Sequence, residues 1–223
     1  MKNRIVILSL AAVMCTWLCA VSSAPGYSSY YVYNVYGGTY ADANKSSTYS
    51  GDDYMCWAAS ASNILLWTGW ANVSGQSFST ASAIFTYFQS YWTNNGGNVY
   101  YAWDWWFDGT NDSPHSPNWS QVKTSGGGGF WTTYTFSDYY LQLTTSTSTA
   151  NALSAIKYLF DNDYGVSLGL VTASGAHAIT CWGYQYDDTG TIVGLYVTDS
   201  DDGYDGLKLY SVALTGDKWY LQS

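Results

Sequence analysis

The sequence predicts an α+β domain, with helices in its N-terminal half packed on a mainly antiparallel C-terminal sheet. Three observations carry that expectation. Apolar residues recur at three and four between Met55 and Trp67 and between Ser79 and Trp92, the spacing of amphipathic helices. From Gly165 onward they alternate or run in short blocks, the spacing of strands. Turn signals separate those blocks, Asp187-Asp188-Thr189-Gly190 being the clearest. Helices followed by an antiparallel sheet define the class.

The elements follow in order. Lys2 and Arg4 precede the apolar run Ile5 to Ala20, and small residues Val21 to Ala24 arrive before Pro25. This is the pattern of a secretory signal peptide over residues 1–23, too short to span a membrane. Residues 24–223 then form one domain, opening on an extended lead-in rich in Tyr, Ser and Gly. Met55 to Trp67 is the first helix, with Asp52 or Asp53 as its N-cap and Cys56 in its first turn. A second helix is expected over Ser79 to Trp92 and a third over Thr149 to Asp161. Residues 93–133, with glycines at 96–97 and 126–129, read as aromatic-anchored loops carrying short strands. Strands are expected over Gly165 to Thr172, Ala176 to Tyr186, Thr191 to Thr198, Leu207 to Ala213 and Lys218 to Leu221.

Composition narrows the function. Beyond the leader five lysines face sixteen aspartates, with no arginine and no glutamate. So acidic a chain is repelled by nucleic acid and by anionic membranes, which excludes both as expected partners. Only 10% of residues are charged, so side chains able to do chemistry are few and their positions informative. Cys/His pairs at zinc spacing are absent and no cofactor motif is present.

The mature chain holds two cysteines, Cys56 and Cys181, and two histidines, His115 and His177. Helix N-terminal N–H groups and a nearby imidazolium turn a thiol into a thiolate, so Cys56 in a first turn is the candidate nucleophile. His177 precedes the Asp187–Gly190 turn on the same strand. If that turn carries a G1 bulge at Gly190, residue 187 pairs with 191. His177 then stands opposite Asp201, with Asp199 diagonal on the same face. A plain two-residue turn would put Ser200 opposite and flip both aspartates away. The first register gives His177 a carboxylate to fix its tautomer. Cys181 lies four strand residues from His177, roughly 13 Å, and reads as a buried strand residue. A Cys56–Cys181 disulfide is the alternative in an oxidising compartment. His115, between Pro114 and Pro117, reads as a loop residue.

Two blocks carry a resemblance. Asp52-Asp53-x-x-Cys56-x-Ala58-Ala59 resembles the opening of the IdeS/Mac immunoglobulin-degrading cysteine peptidases, a papain-like family. So does His177-x4-Trp182-Gly183-x3-Asp187-x2-Gly190-x5-Tyr196-Val197-Thr198-Asp199-Ser200-Asp201. Cys56-Trp57-Ala58 is also similar to papain, without the glycine two residues before the cysteine. The resemblance implies a papain-like fold and a secreted cysteine endopeptidase. Its nucleophile would be Cys56, its base His177, its orienter Asp199 and its supporting acid Asp201. It implies a lysine near the oxyanion, for which Lys45 is the candidate, and a protein substrate, with immunoglobulin as one candidate. Trp57, Trp105 and Trp106 are candidate substrate-binding residues. Two other readings compete. In a glycan-binding protein or glycosidase, Tyr100, Trp103, Trp105 and Trp106 would stack sugars, with Asp104 and Asp108 as paired carboxylates. In a non-catalytic surface protein, the fold alone would be kept.

Overall fold

The computed structural model describes residues 5–14, 30–33, 40–46, 51–110, 121–123, 126–144, 149–172, 175–215 and 218–222. Among the described residues, four helices, α1 (Cys56–Thr68), α2 (Ala81–Tyr91), α3 (Val99–Asp108) and α4 (Thr149–Asp161), accompany a curled antiparallel sheet of five strands. Those strands are β4 (Gly165–Thr172), β5 (Gly175–Tyr186), β6 (Ile192–Thr198), β7 (Lys208–Thr215) and β8 (Lys218–Gln222), paired in chain order. The α+β expectation is met, and β4 through β8 each start and end within two residues of where the alternation placed them. Three more strands extend the sheet. β2 (Tyr30–Tyr33) pairs antiparallel with the end of β5. β1 (Ile5–Met14) lies parallel between β4 and β3 (Tyr140–Thr144). The apolar centre of the expected leader is thus a strand, while Val21–Ala24 and His115 lie outside the described residues.

Two apolar clusters divide the core. One gathers α1, α2, α3 and the side chains of Ala178 and Trp182. The other gathers α4 with Ile179, Cys181, Tyr184 and Val197. Residues 178, 182 and 179, 181 therefore face opposite sides of β5, as strand alternation requires. Tyr184 breaks the parity because the register slips between Cys181 and Gly183, which turns the following side chains over.

α1 owes its place to small residues. Ala58, Ala59, Ser60, Ala61 and Ser62 are all buried, so the helix backbone closes onto the sheet. A polar seam fixes its register there. Ser60 Oγ contacts Ser167 Oγ at 2.5 Å and donates to Ile179 O at 3.0 Å, and Asn63 Nδ2 donates to Thr180 Oγ1 at 3.0 Å. Asn63 Oδ1 also accepts from Ala43 N at 2.8 Å, tying the lead-in to the same helix.

The stretch expected to be aromatic loops contains a helix instead. Val99–Asp108 forms α3, with Asn98 capping it by accepting from Tyr100 N. Aromatic residues crowd the sequence so closely that helical periodicity is invisible: Val99 and residues 102–107 are all buried. The glycine run then packs on the helix. A Cβ at Gly128 would overlap the Trp105 backbone oxygen and ring, so only glycine fits that approach.

Candidate active site

Cys56, the candidate nucleophile, sits where α1 begins. Met55, not an aspartate, occupies the N-cap position and supplies no side-chain cap, which corrects the Asp52/Asp53 expectation. Asp52 is instead buried, its Oδ2 accepting from Ser46 N and Gln89 Nε2, both at 2.9 Å. It joins the lead-in to α2 around the residues that precede Cys56.

The hairpin between β5 and β6 brings His177 to the aspartates that follow β6. Asp187 N donates to Thr191 O at 3.0 Å and Gly190 adopts a φ of 81°, the bulged turn that the sequence allowed. Register slips then cancel along the ladder. Tyr186 pairs with Ile192 and Tyr184 with Leu195, but Cys181 again pairs with Val197 and Thr180 with Thr198. Continued past Thr198, that register brings the aspartates beside His177. The direct partner is Asp199: its Oδ1 lies 2.7 Å from His177 Nε2. Asp201 Oδ2 stands 3.4 Å from Nδ1, so the diagonal residue takes the primary contact.

Asp199 is nearly enclosed. Oδ1 also accepts from Asp201 N at 3.0 Å, and Oδ2 accepts from the Tyr210 hydroxyl at 2.8 Å. Burial pushes its carboxyl up, but the His177 hydrogen bond and charge, with the Asp201 N–H and Tyr210 hydroxyl, hold it below the usual carboxylate range. For His177, burial opposes the charged form, while its hydrogen bonds to Asp199 and to Cys56 raise it to about 10. Burial opposes ionisation of Cys56 too; the His177 hydrogen bond and charge, the Ala178 N–H and the Lys45 charge outweigh it and hold the thiol low. The contact between the half-buried Cys56 and His177 thus favours the charged form of each.

Lys45 reaches this site. Its ammonium pairs with Asp201 and donates to Asp53 O at 2.5 Å, while its backbone N donates to Ser200 O at 3.3 Å. Asp201 thus stands between Lys45 and His177, with 44% of its side chain exposed. Cys181 contrasts with Cys56. Both cysteines are free, so the disulfide alternative is not realised; burial pushes the Cys181 thiol up to about 12.

Structure and expectation part at the tryptophans. Trp57, Trp105 and Trp106 are at most 1% exposed and cannot touch a substrate. Trp57 packs on Phe88 and Trp92, and Trp106 Nε1 donates to Trp70 O at 3.1 Å. Trp103 and Asp104 are buried as well, which removes the sugar-stacking surface and the paired carboxylates of the glycan reading. Sequence reasoning missed the Ala178 N–H and the Tyr210 hydroxyl. The first follows from lying beside His177; nothing short of the three-dimensional sheet aims the second at Asp199.

The fold and site define an α+β domain carrying a Cys-His-Asp constellation. A family model described as Mac 1, the domain of the streptococcal IdeS/Mac family, matches residues 124–218. Over that stretch the chain is IdeS/Mac-like. The match holds His177, Asp199, Asp201 and Tyr210, but leaves Lys45 and Cys56 outside and spans less than half of the chain. This corrects the resemblance drawn at both ends of the sequence: the likeness rests on the histidine–aspartate part alone, and it does not make the chain an immunoglobulin-degrading peptidase. No curated protein matches the chain.

Proposed function

We propose that the protein is a cysteine-type endopeptidase of papain-like architecture, exported by a leader at residues 1–23 whose removal takes β1 out of the mature sheet, and acting on a polypeptide outside the cytoplasm. The observation that carries this reading is the relay Cys56–His177–Asp199, in which Asp199 and Cys56 hold the imidazole high and His177 holds the thiol low.

The Cys56 thiolate attacks the scissile carbonyl carbon, forming a C–S bond and placing the carbonyl electrons on oxygen. The Cys56 backbone N–H, in the first turn of α1, and the Lys45 ammonium supply positive potential for that oxyanion. The His177 imidazolium gives its proton to the leaving amine as the C–N bond breaks, leaving a thioester. Neutral His177 then takes a proton from water, whose oxygen displaces the Cys56 sulfur and restores the ion pair. Asp199 holds the ring by Nε2, so that Nδ1 serves sulfur and substrate.

The test uses purified protein and an unfolded polypeptide such as reduced casein. Cleavage that disappears in Cys56→Ala, together with a covalent adduct of a peptide aldehyde at Cys56 in the wild type, is the expected result. Cleavage that persists in Cys56→Ala, or a wild type that neither cleaves nor binds the aldehyde, would refute the assignment.

A further inference from the structure

We infer that Tyr210 is a positioning residue of this site: its hydroxyl locks the Asp199 carboxylate in the orientation that holds His177, so the working unit is Cys56–His177–Asp199–Tyr210. The inference rests on the peptidase reading and extends it to a residue on a different strand.

Geometry carries it. Tyr210 lies on β7, one strand beyond β6 and two beyond the strand of His177. Its register partner is Leu195, and its ring is packed into the cluster that holds Val197 and Leu195, with 1% of the residue exposed. A tyrosine so placed must find a partner for its hydroxyl. It finds Asp199 Oδ2 at 2.8 Å, the oxygen that His177 does not use. The carboxylate is thereby gripped on both sides, by Tyr210 on Oδ2 and by His177 and Asp201 N on Oδ1. A carboxylate held at one oxygen can swing about its Cβ–Cγ bond; held at both, it cannot. Burial makes this grip matter, because Asp199 at 4% exposure has little water to replace a lost donor.

The titratable surroundings fix the expected sign. Asp199 faces His177 on β5 and Tyr210 on β7, with Asp201 and Asp202 following in its own loop. Cys56 acts through His177, Lys45 through Asp201, and Lys208 through Asp202. Among these the Tyr210 hydroxyl is a neutral donor. Its loss changes no charge, but it makes a desolvated Asp199 easier to protonate. The carboxylate is then lost at higher pH, and the acid limb of Cys56 reactivity moves up.

The experiment compares wild type, Tyr210→Phe, Tyr184→Phe and His177→Ala. Tyr184 is a buried tyrosine of the same sheet whose neighbours are Lys157, Phe160 and Tyr186. Each protein is followed by iodoacetamide alkylation of Cys56 against pH, by kcat and KM on a peptide, and by thermal unfolding. Tyr210→Phe is expected to lower kcat about 10- to 100-fold with KM little changed, and to raise the acid limb by roughly one pH unit. Tyr184→Phe leaves both where the wild type has them. A Tyr210→Phe profile superimposed on wild type, with only the melting temperature lowered, overturns the inference and leaves Tyr210 a core residue. A wild type whose Cys56 reactivity does not depend on His177 overturns the peptidase reading beneath it.

Discussion

Around Trp105 the molecule is built almost entirely of rings. Phe88, Tyr91, Trp92 and Tyr87 meet its indole at centroid separations of 5.5 to 6.2 Å. Around His177 the contacts are charged and directional: Asp199, Asp201, the Cys56 thiol and, through Asp201, Lys45. The ring cluster tolerates many geometries, since dispersion and area burial are non-directional and a tilted pair is nearly as good as a stacked one. The charged cluster tolerates few, because each proton position depends on a distance near 2.7 Å. Damage to the first region should therefore appear in stability, and damage to the second in turnover. The α1 helix joins them, one end carrying Cys56 and its flank packed against the aromatic lobe.

That division makes predictions, beginning with the largest. Cys56→Ala should reduce peptide hydrolysis by about 10⁴-fold or more while thermal unfolding stays close to wild type. Unfolding accompanied by lost activity would show that the site is also a structural keystone. Asp199→Asn removes the charge but nearly keeps the shape, and should lower kcat on the order of 10²- to 10³-fold. Circular dichroism of that variant should match wild type; retained turnover would remove Asp199 from the relay.

Trp105→Ala tests the other region. Deleting a fully buried indole should cost about 3–5 kcal/mol in denaturant unfolding, with normal Cys56 alkylation in whatever fraction remains folded. A stable variant with altered polysaccharide or peptide binding would restore the exposed-tryptophan reading. Asp201→Ala should be milder than Asp199→Asn, roughly 10-fold in kcat/KM, because Asp201 is half-exposed and 3.4 Å from Nδ1. A larger loss than in Asp199→Asn would exchange their roles.

The smallest effect concerns Asp42, near the same loop. Burial raises its carboxyl to about 6, with Asp202 and Asp205 adding repulsion against the Gly206 N–H and Asn44 bonds that favour ionisation. The folded protein binds that proton more readily than the unfolded chain, so stability falls as pH rises from near 4 through about 6. Asp42→Asn should therefore raise the melting temperature at pH 8 and leave it unchanged near pH 4. Solvent screening keeps the gain below about 1 kcal/mol. An identical shift at both pH values would mean that repacking, not ionisation, is responsible.

The strand half was legible because its signals are local. Alternation, the Asp187–Gly190 turn and the His177-to-Asp201 spacing together place His177 beside Asp199 and Asp201. Even so, the register alone sets Asp201 opposite His177, and only the side-chain geometry makes the diagonal Asp199 the closer partner. The helical half was less legible for a physical reason. When all residues from 102 to 107 are buried, no polar face marks a helical period, so α3 reads as loop. The same saturation made Trp105 and Trp106 look available to ligands when they are interior. The cap of α1 was misplaced because Asp52 serves a more distant pair, Ser46 and Gln89, which sequence spacing cannot reveal. Tyr210 illustrates the limit most sharply, since its partner lies eleven residues away across a loop.

The most direct test of the thiolate–imidazolium pair is the pH dependence of Cys56 alkylation by iodoacetamide in wild type and in His177→Ala. The contacts of Cys56 with His177 and Ala178 N–H, and the Lys45 charge, predict a thiol that reacts below the ordinary thiol range, and a profile that moves up toward that range once the imidazole is removed. An unreactive Cys56, or profiles that coincide in the two proteins, would contradict the pair and leave this chain a binding protein with a cysteine at a helix start.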